Sequence, residues 1–264
     1  MEDNQLIFCI GYNKSGTTSL YQAITDLGFK GYSGEMMANA EYLLKDVIVE
    51  QLLHQHQKEF NVVCDWVEEC KLKTQKASND NNSLTHMNVF KDVPFSLPGV
   101  WKKLYERYPN AKYILTERDS AKQWFNSITK FHQDGWLANP NTTSPVTWQQ
   151  LAKVKYRFNS FAYDYIMYIN THGLLKTDSN YPYDDQLKNS YILHNKEVKE
   201  FFADKNNFLS VNVAKDSDYL KLCSFLNKKA GNPFPTRRGM RHKPIAKFPR
   251  LKITNDPSTW NNLS

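Results

Sequence analysis

A continuous apolar run, Leu6-Ile7-Phe8-Cys9-Ile10, stops at Gly11, and helical spacing then extends from Ser19 to Leu27 before a second stop at Gly28. An apolar run this short, bounded by glycine, predicts a strand buried on both faces, as in a parallel sheet. The unit is therefore strand, loop, helix. Its loop, Gly11-Tyr12-Asn13-Lys14-Ser15-Gly16-Thr17-Thr18-Ser19, is rich in small and hydroxyl-bearing residues. Backbone N–H groups in such a loop, added to the positive end of the following helix, make a cradle for an anion.

Further strands are predicted at Phe60 to Cys64, Val89-Phe90, Tyr113 to Thr116 and Phe208 to Val213, with helices at Ala40 to Gln57 and Pro98 to Tyr108. Strands alternating with helices predict an α/β fold, a parallel β-sheet flanked by helices on both faces. The stretch from Trp148 to Asn170 reads as a helix carrying aromatics around its circumference, a core helix or a pocket wall. Residues 77–84 and 176–190 are polar and turn-rich and read as surface loops, the second a candidate cover over a binding site. At 264 residues the whole chain, 1–264, reads as a single domain, with 255–264 as a frayed tail.

Composition narrows the ligand. The net charge of +7 favours anions, yet no block of five or six like charges appears, which points to a local anionic ligand and away from nucleic acid. Cys9, Cys64, Cys70 and Cys223 form neither a CxxC pair nor a zinc spacing, so they read as reduced thiols, and no clustered metal ligands appear. The opening apolar run is too short for a signal core or a membrane span, which together with the thiols gives the expectation of a cytoplasmic protein with no membrane partner.

The loop is not that of an ordinary triphosphate binder. A GxxxxGK[ST] loop places lysine directly after its second glycine, whereas Gly11 and Gly16 keep that glycine spacing with Thr17 in the lysine's place and the lysine at Lys14. Asn13-Lys14-Ser15-Gly16-Thr17-Thr18 resembles the PKSGTT phosphosulfate loop of sulfotransferases that use 3′-phosphoadenosine 5′-phosphosulfate (PAPS), departing only at the proline. The resemblance implies that Lys14, Ser15, Gly16, Thr17, Thr18 and Ser19 hold the phosphosulfate, with Lys14 also catalytic through the leaving oxygen. A tryptophan often follows the family's threonines; Ser19 stands there instead, and Trp66 is the substitute considered for adenine stacking.

Other segments extend the likeness. Tyr113-Ile114-Leu115-Thr116-Glu117-Arg118 is similar to the family's strand that ends in a 3′-phosphate arginine, which implies that role for Arg118. The family's partner serine lies eight positions on; here Ser127 lies nine away, and it is preferred over Ser120. Arg237-Arg238-Gly239 resembles the late segment that closes over the cofactor, although these residues also read as a solvated basic loop. Phe90-Lys91-Asp92-Val93-Pro94 is similar to the family's Lys-Thr-His-Leu-Pro, and aligning the prolines puts Asp92 in the general base's position. His86 is the alternative base, while Lys91 reads either as facing the sulfuryl group or as solvated.

The reaction so implied moves a sulfuryl group from PAPS to a hydroxyl or amine of a small-molecule acceptor, releases 3′-phosphoadenosine 5′-phosphate (PAP), and needs no metal. The competing readings are a P-loop small-molecule kinase and a sulfotransferase-like binding protein without activity. The oligomeric state is left open.

Overall fold

The structure, a computed structural model, describes residues 5–31, 61, 63–65, 67–68, 70, 88–136, 155–156, 158–159, 166, 169 and 183–230. Within them run β1 (Ile7–Cys9), α1 (Thr17–Asp26), β2 (Val89–Lys91), α2 (Val100–Arg107), β3 (Lys112–Thr116) and α3 (Ala121–Trp136). These are followed by β4 (Lys155–Tyr156), β5 (Phe158–Asn159), α4 (Tyr183–Phe201), β6 (Phe208–Val211) and α5 (Asp216–Phe225). Four strands form one all-parallel sheet in the order β2-β1-β3-β6.

Strand alternation divides the core between the two faces. Phe8, Phe90, Tyr113 and Leu115 point into an aromatic layer with Trp101 of α2, Trp124 of α3 and Tyr191 of α4. Ile7, Cys9, Val89 and Ile114 point the other way, onto Leu20 and Ile24 of α1 and Leu222 of α5. Helices therefore cover both faces, as the alternating pattern predicts. The connections out of β1 and β2 leave in opposite directions across the sheet, so the ends of β1 and β3 flank a topological switch point, the usual ligand crevice of such sheets.

Three expectations are corrected. Asn61, Val63–Asp65, Val67, Glu68 and Cys70 are helical, whereas a strand is predicted at Phe60 to Cys64. Val63, Cys64, Val67 and Cys70 are the buried positions, at helical spacing, and a short apolar run cannot distinguish that pattern from a strand. Residues 183–190 are helical and not loop. Acidic Asp184 and Asp185 suit a helix N-terminus, and Leu187, Tyr191, His194 and Val198 bury one face at helical spacing. Within the predicted helix Trp148 to Asn170, Lys155–Tyr156 and Phe158–Asn159 pair as antiparallel strands, while Ile166 and Ile169 are helical and buried. Tyr and Phe favour strands, and propensity prevails there over the helical period.

The helix predicted at 40–57, the loop at 77–84 and the tail at 255–264 lie outside the described residues. Among the described residues no helix is long and apolar enough to cross a membrane. All four cysteines are buried and no disulfide joins them.

Candidate active site

The loop between β1 and α1 is built by two glycines and three tied carbonyls. A side chain at Gly11 would collide with Thr116, its Cβ lying 2.7 Å from the Thr116 nitrogen, so glycine lets the loop leave β1 against β3. Gly16 has φ of 119°, and an added Cβ would approach Val213 Cγ2 at 2.5 Å. Glycine is required there on both counts.

Each of three successive carbonyls accepts from a side chain. The Ser15 hydroxyl donates to the Tyr12 carbonyl at 2.5 Å. The Trp124 indole N–H donates to the Asn13 carbonyl at 2.9 Å. The Arg118 guanidinium donates through Nε and Nη2 to the Lys14 carbonyl, both at 3.1 Å. In a trans peptide C=O and N–H point in opposite directions, so tying the Asn13 carbonyl to Trp124 turns the Lys14 N–H away from α3. Directly after, α1 begins at Thr17, and the first turn of a helix leaves its N–H groups without intrahelical partners. The result is a fixed cluster of amide donors at the positive end of a helix.

The aromatic face of the sheet supports the loop from behind. The Tyr12 ring lies 4.1 Å from the His194 ring, interplanar angle 29°, and His194 Nε2 is 3.0 Å from the Ile10 carbonyl. Trp124 stacks on Tyr191 at 4.7 Å and 8°, and the Tyr191 hydroxyl accepts the Arg118 N–H at 2.8 Å. Burial pushes the Tyr191 phenol above its ordinary value, so it stays neutral. Burial pulls Arg118 below its ordinary value, opposed by the neighbouring Tyr191 and Asp119. A guanidinium is not deprotonated in a protein, so Arg118 remains a cation, and two of its five N–H donors are used on the loop.

Asp92 approaches from β2. It has φ of 62° and precedes a cis Val93–Pro94 bond. Its Oδ1 accepts the Thr17 hydroxyl at 2.8 Å, and its Oδ2 accepts Lys91 Nζ at 2.5 Å. Lys91 is 8% exposed and lies over the Tyr21 ring at 5.2 Å, which removes the solvated reading of this lysine. Beneath them burial, aided by Asp92 and opposed by Lys91, pushes the Cys9 thiol far above its usual range. It is no nucleophile.

The ends of β1, β2 and β3 thus bring Lys14, Ser15, Gly16, Thr17, Asp92 and Arg118 to one edge. Thr18 and Ser19 stand in the first turn of α1. Ser127 is half-buried on α3, three residues after Trp124 and four before Phe131, on the helix face that meets the loop. Ser120 instead caps α3, its Oγ accepting the Gln123 N–H at 3.1 Å. His86, Trp66, Arg237, Arg238 and Gly239 lie outside the described residues. Among the described residues no group of three or more His, Cys, Asp or Glu could hold a metal ion.

Sequence reasoning missed the Thr17–Asp92 bond and the parts of Tyr191 and Phe131. Trp124, Ile128 and Phe131 at helical spacing were the available signal for α3; Tyr191 was hidden in a segment read partly as loop.

These features define a parallel α/β protein with an anion cradle at the carboxyl edge of its sheet. The family described as the sulfotransferase domain matches residues 6–241, and the chain belongs to it. That family membership supports sulfuryl transfer as its general chemistry. No curated protein matches the chain.

Proposed function

We propose that the protein transfers the sulfuryl group of PAPS to a hydroxyl or amine of a small acceptor by in-line displacement. The observation that carries the reading is the cradle itself: amides fixed by tied carbonyls, a lysine inside the loop, and a carboxylate bonded to the loop through Thr17. Lys14 and the amides from Gly16 onward receive the phosphosulfate, with the hydroxyls of Ser15, Thr17, Thr18 and Ser19 around it. Arg118, with Ser127, takes the 3′-phosphate by charge-assisted hydrogen bonds; the same phosphate is the proposed ligand of Arg237, Arg238 and Gly239, which lie outside the described residues.

Asp92 accepts the acceptor's proton as the new bond to sulfur forms. The bond from sulfur to the bridging oxygen breaks, and PAP leaves with that electron pair. Lys14 and the amides stabilise the charge growing on the leaving oxygen. Hydrogen bonds from Thr17 to its Oδ1 and from Lys91 to its Oδ2 hold the Asp92 carboxyl in place beside the cradle. His86 is the alternative base. A transferring sulfuryl carries less charge than a γ-phosphoryl, so turnover proceeds without a metal clamp.

Thermal melting with PAP, with ATP plus magnesium, and without ligand tests the donor, since a ligand that binds the native state raises the melting temperature. Stabilisation by PAP and not by ATP is expected. The reverse would favour the kinase reading. Turnover of labelled PAPS against phenols, alcohols, amines and sugars then identifies the acceptor, and PAP binding without turnover on any of them would leave a binding protein.

A further inference from the structure

Lys14 is held at three points by one contiguous stretch of chain, the exit of β3 and the first turns of α3. Trp124 fixes the carbonyl of the preceding peptide at 2.9 Å, and Arg118 fixes the lysine's own carbonyl at 3.1 Å. The third point is the side chain: Lys14 Nζ lies 4.1 Å from the centre of the Phe131 ring. Trp124 and Phe131 are seven residues apart, two turns along one face of α3, and both are buried, at 0% and 7% exposure.

The backbone needs such restraint. Lys14 has φ of 69°, in the left-handed region that non-glycine residues seldom occupy. A residue persists there only when its surroundings over-determine it. The ring offers a further advantage. The face of the Phe131 ring attracts the ammonium through its quadrupole and gives it a defined seat.

We propose that Phe131 and Trp124 are positioning residues for Lys14: the α3 face seats its ammonium on a ring and its backbone on an indole N–H, aiming both at the anion cradle. The catalytic consequence rests on the sulfotransfer reading; the seat itself does not.

Two readouts separate them. In the parent protein the Lys14 ε-methylene protons, assigned by their loss in Lys14→Arg, appear upfield in a ¹H–¹³C spectrum through the Phe131 ring current. They return to the ordinary lysine position in Phe131→Leu and stay upfield in Phe131→Tyr. In kinetics, Phe131→Leu lowers kcat by about three- to thirtyfold with the KM for PAPS little changed, and Phe131→Tyr restores it. Trp124→Phe keeps the stack on Tyr191 but removes the donor, and weakens PAP binding by about two- to tenfold. Thermal melts of each variant confirm a folded protein; should Phe131→Leu not fold, Phe131→Met replaces it in both readouts. An unshifted Lys14 signal in the parent overturns the seat. An upfield signal with unchanged kcat in the folded Leu or Met variant overturns the positioning role. Absence of sulfotransfer in every form, parent included, sinks the proposed function alone, and the spectrum still decides the seat.

Discussion

The two ends of the same sheet are unlike in a way that volume does not reveal. At the amino end of the strands lies a cavity of about 460 Å³ whose lining includes Leu6, Phe29, Arg107, Lys112 and Phe225. Its size and its two cations would suit an anionic ligand. Yet α1, α2 and α5 all end toward it, at Asp26, Arg107 and Phe225, so it collects the negative ends of helix dipoles. At the carboxyl end the sheet offers instead the start of α1, the cradle amides, Lys14, Asp92 and Arg118. In a parallel sheet every connecting helix runs against the strands, which gives the two ends opposite electrostatic character. Oriented donors, more than space, mark the functional end.

Substitutions test that asymmetry most sharply at Asp92. Asp92→Asn keeps the Thr17 contact geometry but removes the basic oxygen, so turnover falls by about two to four orders of magnitude with PAP affinity retained. Near-normal turnover measured with labelled PAPS would transfer the role to His86 or to water. Lys14→Ala removes the cation within the loop, and kcat drops by about a hundredfold or more while PAP binding weakens much less. Parent-rate transfer by this variant would break the mechanism even with the fold intact.

A smaller effect, on stability, is expected at the exit of β6, where Val213 presses on Gly16. Asp218 accepts the Asn212 N–H at 2.9 Å and Lys221 Nζ at 2.7 Å. Burial pushes its carboxyl up, but these donors outweigh it and hold the group below its ordinary value. A lowered folded value gives stability that is present above the unfolded value, near 3.9, and is lost as pH falls through the folded one. Asp218→Asn should therefore cost about 1 kcal/mol at pH 7, with the gap to the parent closing below about pH 4 in melts run across that range.

The least effect is expected at the opposite end. Replacing both Arg107 and Lys112 by Ala should change turnover and PAP affinity by no more than about twofold, since these cations sit away from the cradle and act through screened distances. A tenfold loss would mean that the large cavity takes part after all.

What the sequence alone determined is local. Glycine at 11 and 16, an apolar run before them and helical spacing after them specify strand, cradle and helix, because backbone freedom and hydrophobic period are properties of neighbouring residues. The strand before Arg118 was legible for the same reason, while Arg118 itself was singled out only by the segment's resemblance to the family. Tertiary structure decided what neighbours cannot encode: that Asp92 meets Thr17, that Trp124 and Arg118 hold carbonyls more than a hundred residues away, and that Phe131 lies under Lys14. It also decided that Val63 and Tyr191 belong to helices, since both are recruited by a core assembled from distant strands. Short-range chemistry set the elements, and only their packing, through contacts of large sequence separation, set which side chains face one another.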